Sequence, residues 1–401
     1  MRVLFISDTE TRGGAAIAAS RLARGLSEAG VEVERLYAIR SSEAYTEPAP
    51  WRSSYAGLPR ALEVGLNGVA RRNVAIAKTM AREVATRHLR QAIESRSFDI
   101  LHVHAIHNSS WNHKSLASIS PDLPTVWTFH DYWGFSPESY LFRDATGHER
   151  RLKPDGVDRR RAMDVRKAYF TSRRRLALAG NSRDTSRLAS ASLGMAVETI
   201  PYGLPLDLYR PLERTAARSV LDLANNFIIG FSSDLNTDPI KGMGVLKEAL
   251  SRLPDGFASA VAMGSARAGD EIVGSVPLRT LGRIDNPRLQ SIVYSAADVF
   301  VVPSLAEAMG QVAMEAIACG TPVVASDVGG LPDAVIPDRS GWLFPAGNVA
   351  ALAERLDKLM RMPAHARDLR GTCRRMAEEN WAISRQAHDY IRLYQRLLFR
   401  S

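Results

Sequence analysis

Two glutamates, Glu307 and Glu315, stand eight residues apart in the densest chemical signal of the chain, PSLAEAMGQVAMEAIACGTPVVASDVGGLPDAV, residues 303–335. A strand pattern ends at Pro303, a short loop holds Glu307 and Gly310, and a helical pattern carries Glu315. If most of that span is helical, it rises by up to about 12 Å. A carboxylate pair working as acid and base across one bond needs about 5 to 9.5 Å. The wider spacing suits a long ligand held at both ends; two ordinary surface glutamates are the plain alternative. A helix starting near Gly310 would turn backbone N–H groups toward an anion. Gly13 and Gly14 lie where the first strand meets its helix, as many tight turns require. His130 and Asp131 close the strand PTVWTFH. His102, His104 and His107 hint at a metal, but zinc needs convergent third and fourth ligands and no such set stands out.

The elements that would position these residues alternate. RVLFIS reads as a strand, and Ala15, Ala18, Ala19, Leu22, Ala23 and Leu26 trace one face of a helix. Gly30 ends it and VEVERLYAI is the next strand, which makes a βαβ unit. FDILHVH, PTVWTFH, RRLALAG and VETIP continue as strands, and NSRDTSRLASAS is a capped helix start. IPYGLPLDLYRPLE, with three prolines and a glycine, has a linker's composition. A second alternation follows: NFIIGFSS, a helix from Gly242, ASAVAMG, LRTLGR, a helix near Leu289, DVFVVPS, a helix from about Met309, and TPVVASD. Two doubly wound α/β domains are predicted, at 1–203 and 204–380, with a last helix in 381–401 able to pack back on the first.

Length and composition agree. At 401 residues and 45% apolar content the chain exceeds one ordinary core. Cys319 and Cys373 cannot build a disulfide framework, and no CxxC pattern marks a metal site. The first apolar run is too short for a signal peptide, and no stretch approaches the roughly 18 apolar residues of a membrane span. A cytoplasmic protein is expected. Residues 143–175 hold twelve Lys or Arg against five Asp or Glu, a local +7 of the total +9. That segment reads as a solvated basic face or as a site for anionic lipid at the inner membrane face, each basic residue there being worth about 1 kcal/mol. No recognised module accompanies it, so nucleic acid is not expected as a partner.

The whole chain resembles the retaining GT-B glycosyltransferases of family 4. E-x7-E followed by ACGTPVVASDVGG matches that family's donor-site signature. LGRID, YSAADVFVVPS and SGWLFPAGN stand in their usual places around it. TIPYGLPLDLYRP is similar to the interdomain linker, usually written IPNG, with Tyr202 in place of the asparagine. HDYWGFSPESYLF resembles the start of an insertion in the exopolysaccharide-type branch, without that branch's cysteines.

The resemblance implies two Rossmann-like domains facing across a cleft, and a metal-independent hexosyltransferase with no cofactor beyond its nucleotide-sugar donor. Glu307 would meet hydroxyls of the donor sugar, and Glu315 the ribose of the nucleotide. Backbone amides near Met309 and Gly310 would approach the phosphates, and Lys241 would neutralise the leaving diphosphate. The arginine that often precedes that lysine is missing from SSDLNTDPI, and Arg283 is a candidate substitute. Gly13 and Gly14 would lie near the phosphates and acceptor, and His130, followed by Asp131, would face the transferred sugar. The acceptor would be a sugar, a lipid-linked glycan or a small molecule, in polysaccharide, glycolipid or glycosylated-metabolite synthesis. A GT-B epimerase and a non-catalytic sugar-nucleotide-binding protein are the rival readings. A dehydrogenase is disfavoured, because no GxGxxG follows the first strand.

Overall fold

β1 (Arg2–Thr9) shows why the strands read as unbroken apolar runs. Val3 and Phe5 enter a core that includes Leu22, Leu26, Tyr390 and Leu397, while Leu4 and Ile6 enter another that includes Leu89, Trp127 and Phe170. Alternate residues are buried on opposite faces, as a parallel sheet covered on both sides demands. The structure, a computed structural model, describes residues 1–10, 13–39, 52–56, 74–106, 111, 113–136, 141–143, 149–151, 159–232, 239–264 and 267–399. His107, residues 233–238 and much of the basic segment lie outside the described residues.

The chain divides into two units. The first comprises 1–139, 153–203 and 383–401; the second comprises 140–152 and 204–382. Besides β1, the first unit's sheet holds β2 (Glu32–Ile39), β3 (Arg52–Tyr55), β4 (Ile100–Val103), β5 (Thr125–Phe129), β8 (Leu176–Gly180) and β9 (Glu198–Thr199). All pairs are parallel, in the order β3-β2-β1-β4-β5-β8-β9. β6 (Leu141–Arg143) and β7 (Glu149–Arg151) form a separate antiparallel ribbon. Ser182 caps the helix Arg183–Leu193 by accepting from the Thr185 amide at 3.1 Å. The last helix, Ile383–Phe399, packs Ala387, Tyr390 and Leu397 into the same core as the helix Gly14–Glu28.

The second unit's sheet comprises β10 (Phe227–Ser232), β11 (Ala258–Met263), β12 (Gly269–Val273), β13 (Val276–Thr280), β14 (Val299–Val302), β15 (Val323–Ser326) and β16 (Gly341–Phe344). Their order is β12-β13-β11-β10-β14-β15-β16, parallel except for the edge pair β12/β13. The proline-rich stretch read as a linker contains the point, 203/204, where the chain passes from the first unit to the second, and its apolar residues are packed into structure. Leu204, Leu208 and Tyr209 are buried, and Tyr209 donates its hydroxyl to Gln290 at 2.7 Å. Prolines there break regular structure, while the apolar residues between them still find a core.

Candidate functional site

In each sheet the winding reverses at one place, between β10 and β14 in the second unit and between β1 and β4 in the first. Open α/β sheets take ligands at the carboxyl ends of strands where that reversal occurs, because the flanking loops diverge there. Of the sequence-derived residues, Gly13 and Gly14 follow β1, Lys241 follows β10, and Glu307, Met309, Gly310 and Glu315 follow β14, while His130 and Asp131 follow β5 and Arg283 follows β13.

In the second unit Lys241 follows β10 and Glu307 follows the neighbouring β14. Their side chains meet, Lys241 Nζ standing 2.7 Å from Glu307 Oε2. Lys241 is 40% exposed and Glu307 15% exposed, so the pair sits at the rim with the carboxylate inward. Ser304 Oγ lies 3.4 Å from the same carboxylate oxygen. Backbone hydrogen bonds lock the loops together, from Leu305 N to Ile240 O at 2.7 Å and from Gly330 N to Glu307 O at 3.2 Å.

This close approach explains two glycines. Gly242, at φ +73, has the carbonyl oxygen of Pro303 1.8 Å from where a Cβ would stand. Gly310, at φ +79, caps the helix Gln311–Ala318 with Leu331 Cδ2 2.5 Å from such a Cβ. Met309 is buried beside it. Glu315, on that helix, is also buried and accepts the Tyr294 hydroxyl at 2.7 Å. Burial, then the neighbouring Glu315, holds the Tyr294 hydroxyl well above the usual tyrosine range. Arg283 is half-exposed and pairs at 2.8 Å with Asp285, two residues on.

In the first unit Gly13, at φ +91, is the N-cap of the helix Gly14–Glu28; both glycines are exposed at the end of the loop after β1. The loop after β4 brings His104 beside that loop, since Asp8 N donates to Ala105 O at 2.6 Å. His130 follows β5 and shares a hydrogen bond of 2.8 Å between its Nε2 and His104 Nδ1. Its Nδ1 lies 2.7 Å from the Tyr202 hydroxyl. His102 is bonded at 2.7 Å to Tyr394 through Nδ1 and at 2.7 Å to Thr128 through Nε2. Burial holds His102 and His104 well below the usual histidine range, reinforced by the neighbouring histidines. They are neutral scaffold. Among the described residues no group of three or more His, Cys, Asp or Glu could hold a metal.

Asp131 Oδ1 accepts from the Trp133 amide at 2.9 Å, fixing the turn after His130. A small recess is lined there by His104, Thr128, His130, Asp131, Trp133 and Gly134 among others. Its wall is a stack of planar groups. His113 lies between Trp127, centroids 4.8 Å apart, and Trp133 at 5.0 Å, with the Arg166 guanidinium 4.4 Å from the Trp133 ring. Burial, then Arg166, pushes His113 down to about 3.

The basic segment is partly consumed by the fold. Arg166 donates to the carbonyls of Trp133 and Ser136. Arg173 donates to those of Ser120 and Leu116, and Arg175 to those of Leu397 and Leu398. Arg174 pairs with Asp122 at 3.0 Å. Sequence reasoning counted Arg166, Arg173 and Arg175 as surface charge; they tie loops and helix ends together instead, while Arg174 stays exposed. Among the described residues no helix is long and apolar enough to cross a membrane.

Residues 12–208 match the family model for Glycosyltransferase Family 4, and residues 278–378 the one for Glycosyl transferases group 1. D-inositol 3-phosphate glycosyltransferase of Mycolicibacterium paratuberculosis is 35% identical over 181 residues, covering 42% of this chain and 40% of that protein. The corresponding protein of Mycobacterium leprae is 36% identical over 173 residues, 40% of each. The chain thus spans about 40% of the length of the curated relatives it matches. Sucrose-phosphate synthase of Thermosynechococcus elongatus has a similar fold, with a TM-score of 0.73 at 22% identity over 99% of this chain and 98% of that one. Anabaena HepE in complex with UDP-glucose gives 0.69 at 19% over 98% and 99%. Glycosyltransferase models thus match stretches in both halves of the chain, and each unit has the Rossmann-like architecture of the GT-B fold.

Proposed function

We propose that the chain transfers a sugar from a nucleoside-diphosphate donor to an acceptor hydroxyl with retention of configuration. The observation that carries this reading is the Lys241–Glu307 pair at the β10/β14 reversal, 66 residues apart in sequence and 2.7 Å apart in space. A sugar diphosphate joins two chemistries, an anionic phosphate and a ring of hydroxyls. An ammonium beside a carboxylate matches both, because an ionised carboxylate only accepts hydrogen bonds and would repel phosphate. The donor exchanges the internal pair for two of its own. Lys241 then opposes charge growing on the leaving diphosphate, and Glu307 holds sugar hydroxyls.

In the transfer itself the bond between the anomeric carbon and the phosphate oxygen breaks, and the acceptor oxygen bonds to that carbon on the same face. The departing phosphate oxygen takes the acceptor's proton. No protein nucleophile, metal or further cofactor is required, and the side chains position and stabilise. Glu315 meets the ribose, Met309 and Gly310 offer amides to the phosphates, and His130 and Asp131 serve the transferred sugar. Gly13 and Gly14 keep their loop open to phosphate or acceptor. Arg283 acts on phosphate only if it leaves Asp285. Polysaccharide, glycolipid or glycosylated-metabolite synthesis in the cytoplasm, with docking at the inner membrane face, is the setting proposed. The basic residues not engaged internally would supply that docking.

The UDP-glucose bound by Anabaena HepE supports a uridine donor first. Melting curves with UDP-glucose, UDP-N-acetylglucosamine, GDP-mannose and ADP-glucose test this, since a ligand at 100 times its Kd adds about 2.7 kcal/mol. At least one should raise the melting temperature and be hydrolysed slowly, with hydrolysis lost in Glu307→Ala. No shift with any sugar nucleotide, or undiminished hydrolysis by Glu307→Ala, would overturn the reading.

A further inference from the structure

Tyr202 is the point where the linker motif departs from the family's usual asparagine, and in the structure it reaches the most chemically suggestive histidine of the first unit. The sheet explains how. β5 and β8 pair in parallel with Phe129 opposite Gly180, so the next residues, His130 and Asn181, leave the sheet side by side. β9 pairs with β8 through Gly180 and Thr199, which brings the chain out at Tyr202 on the same edge. Gly203 N donates to Gln386 Oε1 at 2.9 Å, anchoring the backbone just beyond. Tyr202 is buried, and its ring lies nearly parallel to that of His130, at 22° with centroids 5.6 Å apart.

Two of the hydrogen bonds have a fixed direction. Asn181 Nδ2 lies 3.1 Å from the carbonyl oxygen of His130, a pure acceptor, so the amide cannot be flipped and this atom is the nitrogen. Its second N–H reaches the Tyr202 hydroxyl oxygen at 2.8 Å, and that oxygen accepts it. The hydroxyl lies 2.7 Å from His130 Nδ1, and His130 Nε2 lies 2.8 Å from His104 Nδ1. Chains that donate in one sense polarise each member and strengthen one another.

We propose that Tyr202, held by Asn181, is a positioning residue that donates to His130 Nδ1, so that His130 carries its proton on Nε2 and gives it to His104. Both ring nitrogens are then committed to the protein, and the ring is fixed in place and in tautomer. For catalysis the claim rests on the reading that His130 faces the transferred sugar. A ring so held orients sugar rather than moving protons, in keeping with a reaction whose proton goes to the leaving phosphate.

The full chain, labelled with ¹⁵N-histidine, tests this directly. Two-bond ¹H–¹⁵N spectra distinguish the neutral tautomers, and His130 is identified by the signals lost in His130→Gln. The wild type should show His130 with its proton on Nε2. Tyr202→Phe keeps the ring and removes the donor. It should shift His130 toward the other tautomer and lower kcat for UDP release from UDP-glucose about tenfold with little change in KM. A wild-type His130 protonated on Nδ1 would overturn the proposal, even if Tyr202→Phe does not fold. A Tyr202→Phe spectrum identical to wild type would do the same. Undiminished kcat in His130→Ala would remove the sugar-facing reading and with it the catalytic half of the proposal, leaving the tautomer to the spectrum.

Discussion

Replacing Lys241 by methionine separates what the ion pair does for the fold from what it does for the reaction. Pairs exposed to solvent contribute about 1 kcal/mol or less, because water competes for both charges. Lys241 is 40% exposed, so its pairing with Glu307 belongs near that limit. Methionine keeps most of the side chain's apolar length, and Glu307 retains its contact with Ser304. The melting temperature should therefore fall by no more than about 2–4 °C, the shift that 1 kcal/mol causes in a domain of this size. The transition state is different. In the proposed transfer, charge then gathers on the leaving diphosphate, and removing one well-placed stabilising group costs about 10²–10³ in kcat, ~2.7–4 kcal/mol. UDP release at saturating UDP-glucose, measured beside melting curves for both proteins, gives the comparison. Activity loss should exceed stability loss by at least ~2 kcal/mol. If kcat stays within about threefold of wild type, or if the stability loss accounts for the whole activity loss, the assignment of Lys241 to the phosphate is refuted.

Gly242→Ala should destabilise the second unit by more than the 1–2 kcal/mol of a left-handed alanine alone, because the added Cβ meets the Pro303 carbonyl oxygen. Gly244→Ala, with nothing within 4 Å, should be neutral or stabilising; equal urea midpoints for the two variants would dismiss the argument. Tyr294→Phe withdraws a buried donor from Glu315 and should cost about 1–3 kcal/mol in chemical denaturation. A midpoint matching wild type would show that the bond contributes nothing net. His113 gives a pH test. Its folded pKa is depressed to about 3 from an ordinary 6.5, so below 6.5 the unfolded chain binds a proton that the folded chain refuses. Its contribution is therefore complete above pH 6.5 and is lost as pH falls toward 3, by about 1.4 kcal/mol per pH unit. His113→Phe should lose less stability than wild type between pH 7 and pH 5, and an equal loss would contradict the assigned cause.

The central strands were largely legible because strands buried on both faces have nowhere to place polar residues, so FIIGFS, ASAVAM and VFVV announce themselves. The edges were not. β3 is RSSY and β12 is GDEIV, whose outer positions face water and carry no apolar pattern. Glu307, Lys241 and the two glycines at positive φ were visible through motif and spacing. The contact between Lys241 and Glu307 was not, since it depends on β10 and β14 being neighbours, and sheet order is written in no local pattern. The same limit hid the His104–His130–Tyr202 network, drawn from loops after three different strands. Arginine burial was hidden for another reason. Composition counts charge, but the guanidiniums of Arg166, Arg173 and Arg175 spend their donors on backbone carbonyls of neighbouring loops and helix ends.

That use of arginine bears on how the first unit could serve a sugar. The loop after His130 has little regular structure of its own, and a site on it is only as precise as its supports. Arg166 supplies one, clamping two carbonyls of the loop while its guanidinium covers Trp133. His113 supplies another by stacking on Trp133 and Trp127 as a neutral ring, its charge suppressed by burial and by Arg166 itself. Asn181 and Tyr202 hold His130 from the neighbouring strands. The polar groups around the recess are thus braced by contacts that lie within one unit and need no ligand. Binding energy from a sugar would not have to be spent on ordering them, and could instead favour the transition state.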